Sequence, residues 1–312
     1  MKRLLLISLF ALTTLTAPAA AADKITVILD WFVNPDHGPL YVALERGEFD
    51  KRGLEVELIA PADPNDPPKL VAAGRADLAI SYQPQLHLQV AQGLPLARIG
   101  TLVATPLNSL VVLADGPVKS IADLKGRKVG FSVGGFENAL LGAMLSRHDL
   151  SLDDVELVNV NFSLSPSLMS GQVDAVIGAF RNFELNQMDI VGRPGRAFYL
   201  EEEGVPAYDE LIIVAKNDRL AEPAFAAFLE AIEAGTQFMI NRPDEAWALF
   251  IKGRKELDDD LNRRAWRDTL PRFALRPAAL DPGRYARFAV FLKDRGLIEN
   301  IVPVESYAVE VR

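Results

Sequence analysis

The chain contains no cysteine in 312 residues. That excludes disulfides, thiolate metal sites, thiol nucleophiles and lipid attachment through a cysteine. Histidine is almost as scarce, and His37, His87 and His148 stand far apart without the spacing of a metal site. A His-Glu-x-x-His pair, a phosphate-cradling Walker loop, a Gly-x-Ser-x-Gly elbow and a dinucleotide fingerprint are all missing. Positive charge is in deficit, with 33 Lys and Arg against 42 Asp and Glu, a net charge of −9. That balance argues against nucleic acid or an anionic membrane surface as a partner. Metal and thiol chemistry find no support.

What is there begins with a leader. Lys2 and Arg3 precede an apolar stretch from Leu4 to about Leu15, and Ala20-Ala21-Ala22 offers a small-x-small cleavage site. This is the pattern of a secretory signal peptide over residues 1–22, and its apolar part is too short to span a membrane. Cleavage leaves Asp23 first and moves the net charge to −11. Export without an anchor implies a periplasmic location. The remaining 290 residues exceed a usual single core of roughly 100–200, so two domains are expected.

The chain is organised around residues 25–44. Ile25-Thr26-Val27-Ile28-Leu29 reads as a buried strand, and Leu40, Ala43 and Leu44 recur at helical spacing. Asp36 is the expected N-cap, and Pro39 falls in the first turn, where a missing N–H does little harm. Trp31, Asn34 and His37 therefore sit at the carboxyl end of a strand, the edge where open α/β sheets collect ligands. Further on, strands and helices alternate. Leu54–Ile59 alternates with period 2, Asp66 and Pro67 open a helix, and a strand at 77–81 runs into a helix from Tyr82-Gln83-Pro84 to Gln92.

One unit recurs. Gly74-x-x-Asp77-x-x-Ile80-Ser81 returns as Gly171-x-x-Asp174-x-x-Ile177-Gly178. The far ends of the two strands carry Tyr82 and Gln83 in one copy, Phe180 and Arg181 in the other. The simplest meaning is two related α/β lobes facing a shared cleft. Between the copies, Ser132-Val133-Gly134-Gly135-Phe136-Glu137 follows a strand and opens a helix, so its free N–H groups are candidates for an anion or a carbonyl oxygen. Glu137 is also well placed there for the positive end of the helix dipole. Asn161 and Glu184 lie at matching carboxyl ends in the second lobe. Phe225, Phe228, Leu229, Ile232 and Met239 form one apolar helical stripe, and Tyr285, Phe288 and Leu292 another; both read as packing.

The stretch Leu29-Asp30-Trp31 with Asn34 and His37, together with Gly134-Gly135 and Glu184, resembles the substrate-binding proteins of ABC importers that capture pyrimidine precursors of thiamine. Ser120 to Gly130 resembles the start of the second lobe of type II periplasmic binding proteins. The resemblance implies a two-lobe α/β clamshell with two hinge crossings near Asn108 and Leu211. Lobe one is expected over 23–108 plus 212–312, lobe two over 109–211. It further implies a monomeric, unanchored solute carrier, a cognate ABC permease as partner, and a formylaminopyrimidine or hydroxymethylpyrimidine ligand. No cofactor is expected. The ligand-facing set is Trp31, Asn34, His37, Tyr82, Gln83, Ser132, Gly134, Gly135, Phe136, Asn161, Phe180 and Glu184. The same frame allows an organosulfonate, nitrate or riboflavin-like aromatic instead. The superfamily also holds a pyrimidine phosphate synthase with a cofactor-bearing Lys, a nearby His and a Cys-rich iron motif. Matching by the Gly93-Leu94-Pro95 turn puts Ser81 at the Lys and Gln85 at the His. With no cysteine either, the enzyme reading is disfavoured.

Overall fold

The computed structural model describes residues 22–311. The expected leader lies outside these residues, apart from Ala22. Two five-stranded sheets organise the chain. The first has the order β2 (Leu54–Ile59), β1 (Asp23–Ile28), β3 (Leu78–Ser81), β10 (Leu211–Lys216), β4 (Leu96–Val103). The second runs β7 (Glu156–Asn159), β6 (Lys128–Phe131), β8 (Ala175–Phe180), β5 (Asn108–Leu113), β9 (Gly195–Tyr199). In each, the second strand of this order pairs parallel with both neighbours, and the third, central strand then pairs antiparallel with the one that crosses between lobes.

The recurring sequence unit has a structural cause. Asp77 and Asp174 each precede a strand (β3 and β8) and fasten it to its parallel neighbour (β1 and β6). The Asp77 carboxylate accepts the Thr26 N–H at 2.7 Å, and that of Asp174 accepts the Lys128 N–H at 3.0 Å. Gly74 and Gly171, with φ of +69° and +77°, end the preceding helices α2 (Pro67–Ala72) and α5 (Leu164–Ser170) in the left-handed region where glycine has no Cβ penalty. The two lobes are built on one plan.

The other helices are α1 (Gly38–Glu45), α3 (Gln83–Ala91), α4 (Phe136–Ser146), α6 (Glu184–Ile190), α7 (Pro223–Asn241), α8 (Pro243–Phe250), α9 (Asp260–Thr269) and α10 (Pro282–Asp294). The stripe Phe225, Phe228, Leu229, Ile232 and Met239 is buried on α7, and Tyr285, Phe288 and Leu292 are buried on α10. Gly235 of α7 lets α1 approach closely: a Cβ there would stand 2.7 Å from the Pro39 carbonyl oxygen. That contact fixes α1, and with it the turn carrying the first group of site residues. Among the described residues no helix is long and apolar enough to cross a membrane.

The cap of the first turn differs from expectation. Asn34, not Asp36, caps the short 3-10 turn Pro35–His37, its Oδ1 accepting the Asp36 N–H at 2.8 Å. Asn34 holds extended backbone and so can aim its side chain back at the turn. Asp36, one turn further in, is freed for a different task.

Candidate functional site

A narrow slot between the two sheets, partly continuous with solvent, leaves about 30 Å³ accessible to water-sized molecules. The first lobe contributes Asp30, Trp31, Asn34, Asp36 and Tyr82; the second contributes Glu137, Leu164, Gly178, Phe180, Phe183 and Glu184. All lie at carboxyl ends of strands or in the turns and helix starts beyond them, as the fold rule requires.

Asp30 anchors the first-lobe wall. One carboxyl oxygen lies 2.9 Å from His37 Nε2, and the other accepts the Tyr82 hydroxyl at 2.9 Å. His37 Nδ1 accepts the Asn34 N–H at 3.3 Å, so the ring carries its proton on Nε2 and donates it to Asp30. The end of β1, the start of α1 and the start of α3 are thereby tied at one carboxyl. Tyr82 stacks on Phe136 with ring centroids 4.9 Å apart, and Trp31 meets Phe162 edge-on at 4.6 Å. Both aromatic pairs join the lobes.

Three carboxyl groups of the slot are held protonated further up the pH scale than usual. Burial pushes Glu137 and Glu184 up to about 8 each, against the backbone N–H groups that pull them down. Burial likewise pushes Asp36 up to about 6, opposed first by the Thr269 hydroxyl. Glu184 accepts the Phe180 N–H at 2.7 Å, and Glu137 accepts the N–H groups of Ser132 and Val133. No Lys, Arg or His lines the slot among the described residues. Nor is any group of three or more His, Cys, Asp or Glu arranged there to hold a metal ion.

The lobes meet directly around the slot. Asn182 Nδ2 donates to Asp36 at 2.6 Å, and Asn186 Nδ2 to Asp268 at 2.8 Å. On the other flank Asn65 Oδ1 accepts the Gly134 N–H at 2.8 Å while its Nδ2 donates to the Ser132 carbonyl at 3.2 Å. This is a closed cleft, with side-chain amides bridging it on both sides.

Of the residues expected to face a ligand, Trp31, Asn34, Tyr82, Phe180 and Glu184 line the slot. Asn34 does so with both amide groups already engaged, since its Nδ2 donates to the Phe32 carbonyl. The others require correction. His37 is 0% exposed and lies behind Asp30. Gln83 is buried, its carbonyl accepting the Asp209 N–H at 2.8 Å and its amide beside His87. Ser132 donates its hydroxyl to the Asn161 carbonyl, and Gly134 is occupied by Asn65. Gly135, at φ +90°, forms the start of α4, and the ring of Phe136 is covered by Tyr82. Asn161 lies in a left-handed turn with φ +51°, exposed and outside the slot. Side chains claim the N–H groups of this turn: Glu137 takes those of Ser132 and Val133, and Asn65 from the other lobe takes that of Gly134. The reading missed Asp30, Asp36, Glu137, Leu164, Gly178 and Phe183. A buried Asp between a strand and a Trp was the one signal present for Asp30, because a carboxyl there must find donors.

Comparison with known proteins gives the chain its relatives. A Haemophilus influenzae protein named for thiamine biosynthesis is 55% identical over 298 residues, 95% of each chain. The formylaminopyrimidine-binding protein of Halalkalibacterium halodurans is 35% identical over 258 residues, 81% of this chain and 78% of that one. The 4-amino-5-hydroxymethyl-2-methylpyrimidine phosphate synthase of Uromyces fabae is 29% identical, over 78% and 74% of the two chains. Among solved structures, the alkanesulfonate-binding protein SsuA from Xanthomonas axonopodis, bound to MOPS, superposes with a TM-score of 0.72 at 15% identity, covering 93% of this chain and 99% of that one. That likeness establishes the fold, the two-lobe clamshell of periplasmic binding proteins. The family model described as NMT1/THI5 like matches residues 34–246, a span that holds every slot residue except Asp30 and Trp31, and the chain belongs to that family.

Proposed function

We propose that the chain is the solute-capturing component of an ABC importer and that its ligand is a thiamine pyrimidine precursor of the formylaminopyrimidine type. The observation that carries this reading is the chemistry of the slot: four carboxyl groups beside four aromatic rings and no cation. An aminopyrimidine is flat and presents N–H donors, so it complements carboxyl oxygens and ring faces. A sulfonate or nitrate presents only acceptors and negative charge. Its negative charge would be desolvated with no cation in the slot to balance it. The leader pattern and the type of fold support periplasmic capture and delivery to a permease.

Binding without turnover is the better reading of the chemistry. Ser81 and Gln85, at the positions the resemblance gives to the cofactor Lys and its His, are buried and hydrogen-bonded to each other at 3.0 Å. The hinge follows from the topology. The chain passes between sheets after β4 and after β9, and Glu210 links the two passages by accepting the N–H groups of Leu107 and Asn108 at 2.6 and 2.8 Å. A ligand in the slot touches both lobes, so it favours closure.

Calorimetry of the exported chain tests the reading. Formylaminopyrimidine should bind saturably and be recovered chemically unchanged, whereas taurine should give no heat. Saturable taurine binding without pyrimidine binding would overturn the assignment. Trp31→Ala should weaken the pyrimidine roughly tenfold with an unchanged melting temperature, from an aromatic contribution of about 0.5–1.5 kcal/mol beyond area burial. Glu184→Gln should cost more on aminopyrimidines than on analogues lacking the amino group. The Phe180 N–H will hold the amide oxygen, leaving an NH2 where the ionised carboxylate offers an acceptor. Equal losses on both ligand types would make Glu184 a structural residue.

A further inference from the structure

Glu137 lies in the first turn of α4 and is 3% exposed. Its position near the positive end of a helix explains a carboxylate, but not the direction in which the side chain points. Oε2 is fixed by two backbone donors, the N–H groups of Ser132 at 2.8 Å and Val133 at 3.1 Å. Oε1 has no hydrogen-bond partner among the described residues. It is turned toward Gly178, in the adjacent strand β8, and both residues line the slot. Gly178 has φ +96°, and a Cβ there would collide with the carboxyl group, 2.8 Å from Oε2 and closer still to Oε1. The strand thus carries a glycine where the carboxyl group passes it. Tyr82, Glu184 and Glu210 are the other ionisable groups that bear on Glu137, and none is a cation.

We propose that Glu137 is a specificity-determining residue whose carboxyl group is ionised in the complex, Oε1 then accepting a second N–H from the ligand beside the one taken by Glu184. The slot then selects a planar heterocycle with N–H donors on two edges. Formylaminopyrimidine has two, the ring amino group and the formamide N–H. This rests on the pyrimidine reading above and adds a residue and a donor requirement to it. Oε1 is the one free acceptor on a side chain that is otherwise immobilised, so a ligand meets it in a fixed position and direction.

The test is a cycle between residue and ligand group. Calorimetry compares wild type and Glu137→Gln against formylaminopyrimidine, its analogue with oxo in place of the ring amino group, and its analogue methylated on the formamide nitrogen. Glutamine keeps the cap, because the Ser132 and Val133 N–H groups demand its oxygen, and its NH2 then faces the ligand in place of an acceptor. We expect at least a tenfold loss on the parent compound. On the analogue whose missing donor Glu137 reads, we expect little further loss. Wild type should itself lose at least tenfold on each analogue. Parent affinity equal to wild type, or the same fold-loss on all three ligands, would overturn the role of Glu137 while leaving the pyrimidine reading intact. Failure of wild type to bind any of the three overturns both. The ratio between ligands carries the result, so a partly destabilised variant still answers, and the N-methyl comparison on wild type needs no variant.

Discussion

Asp30→Ala should lower the melting temperature of the unliganded protein by roughly 6–12 °C. Asp30 is buried and receives two side-chain hydrogen bonds, from His37 and Tyr82, each at 2.9 Å. A hydrogen bond to a carboxylate contributes about 1.5–3 kcal/mol, and removing the acceptor leaves two buried donors without a partner. Taking the lower figure for each gives about 3 kcal/mol, and about 2–4 °C per kcal/mol applies at this size. The loss is concentrated where three elements meet, because His37 precedes α1 and Tyr82 precedes α3. Pyrimidine binding should fall as well, since the freed Tyr82 ring stacks on Phe136 across the cleft. Asp30→Asn should be milder, as its amide oxygen still accepts one of the two donors. Thermal denaturation followed by circular dichroism checks the ranking. A shift under 2 °C for Asp30→Ala would mean that the trio does not hold these elements together.

How far the site was legible follows from the range of the interactions. The turn around Trp31 could be read because strand, turn and helix are local, each marked by its own residues. The two lobes could be read because the Gly-x-x-Asp unit repeats a physical device, an aspartate fastening a strand to its parallel neighbour. The Gly-rich turn could not. Glu137 takes the N–H groups of Ser132 and Val133, and that of Gly134 looks free for a ligand until Asn65 arrives from the other lobe, 69 residues earlier in the chain. No local pattern announces that pairing. Glu137 was passed over for the opposite reason: a helix start accounts for an acidic residue, so nothing in the sequence called for more. Only Gly178, from a strand some forty residues on, shows that its carboxyl group is aimed. Asp36 was read as a cap, a job that Asn34 performs, and its own carboxyl instead receives Asn182 from the second lobe.

The empty cleft should close more readily in acid than in base. In the closed form burial holds Glu137 and Glu184 protonated up to about pH 8 and Asp36 up to about 6, against ordinary values of 4.5 and 3.8. Opening admits water to the slot and returns each group toward its ordinary value. Between about pH 4.5 and 8 the closed form therefore binds more protons than the open form, and raising the pH favours opening across that window. Each carboxyl neutral when closed and ionised when open contributes about 1.4 kcal/mol per pH unit. For Asp36 the effect ends near pH 6; the two glutamates extend it to about 8. Below about pH 3 the closed form keeps its full advantage, because all three groups are then neutral in both forms. No Lys, Arg or His lines the slot among the described residues to offset the trend. Small-angle scattering of the unliganded protein at pH 5 and pH 9 measures it directly. The radius of gyration should be larger at pH 9, and Glu137→Gln together with Glu184→Gln should remove most of the difference. An equal or smaller radius at pH 9 would show that these carboxyl groups stay buried when the lobes part, and that closure is driven by the aromatic and amide contacts alone.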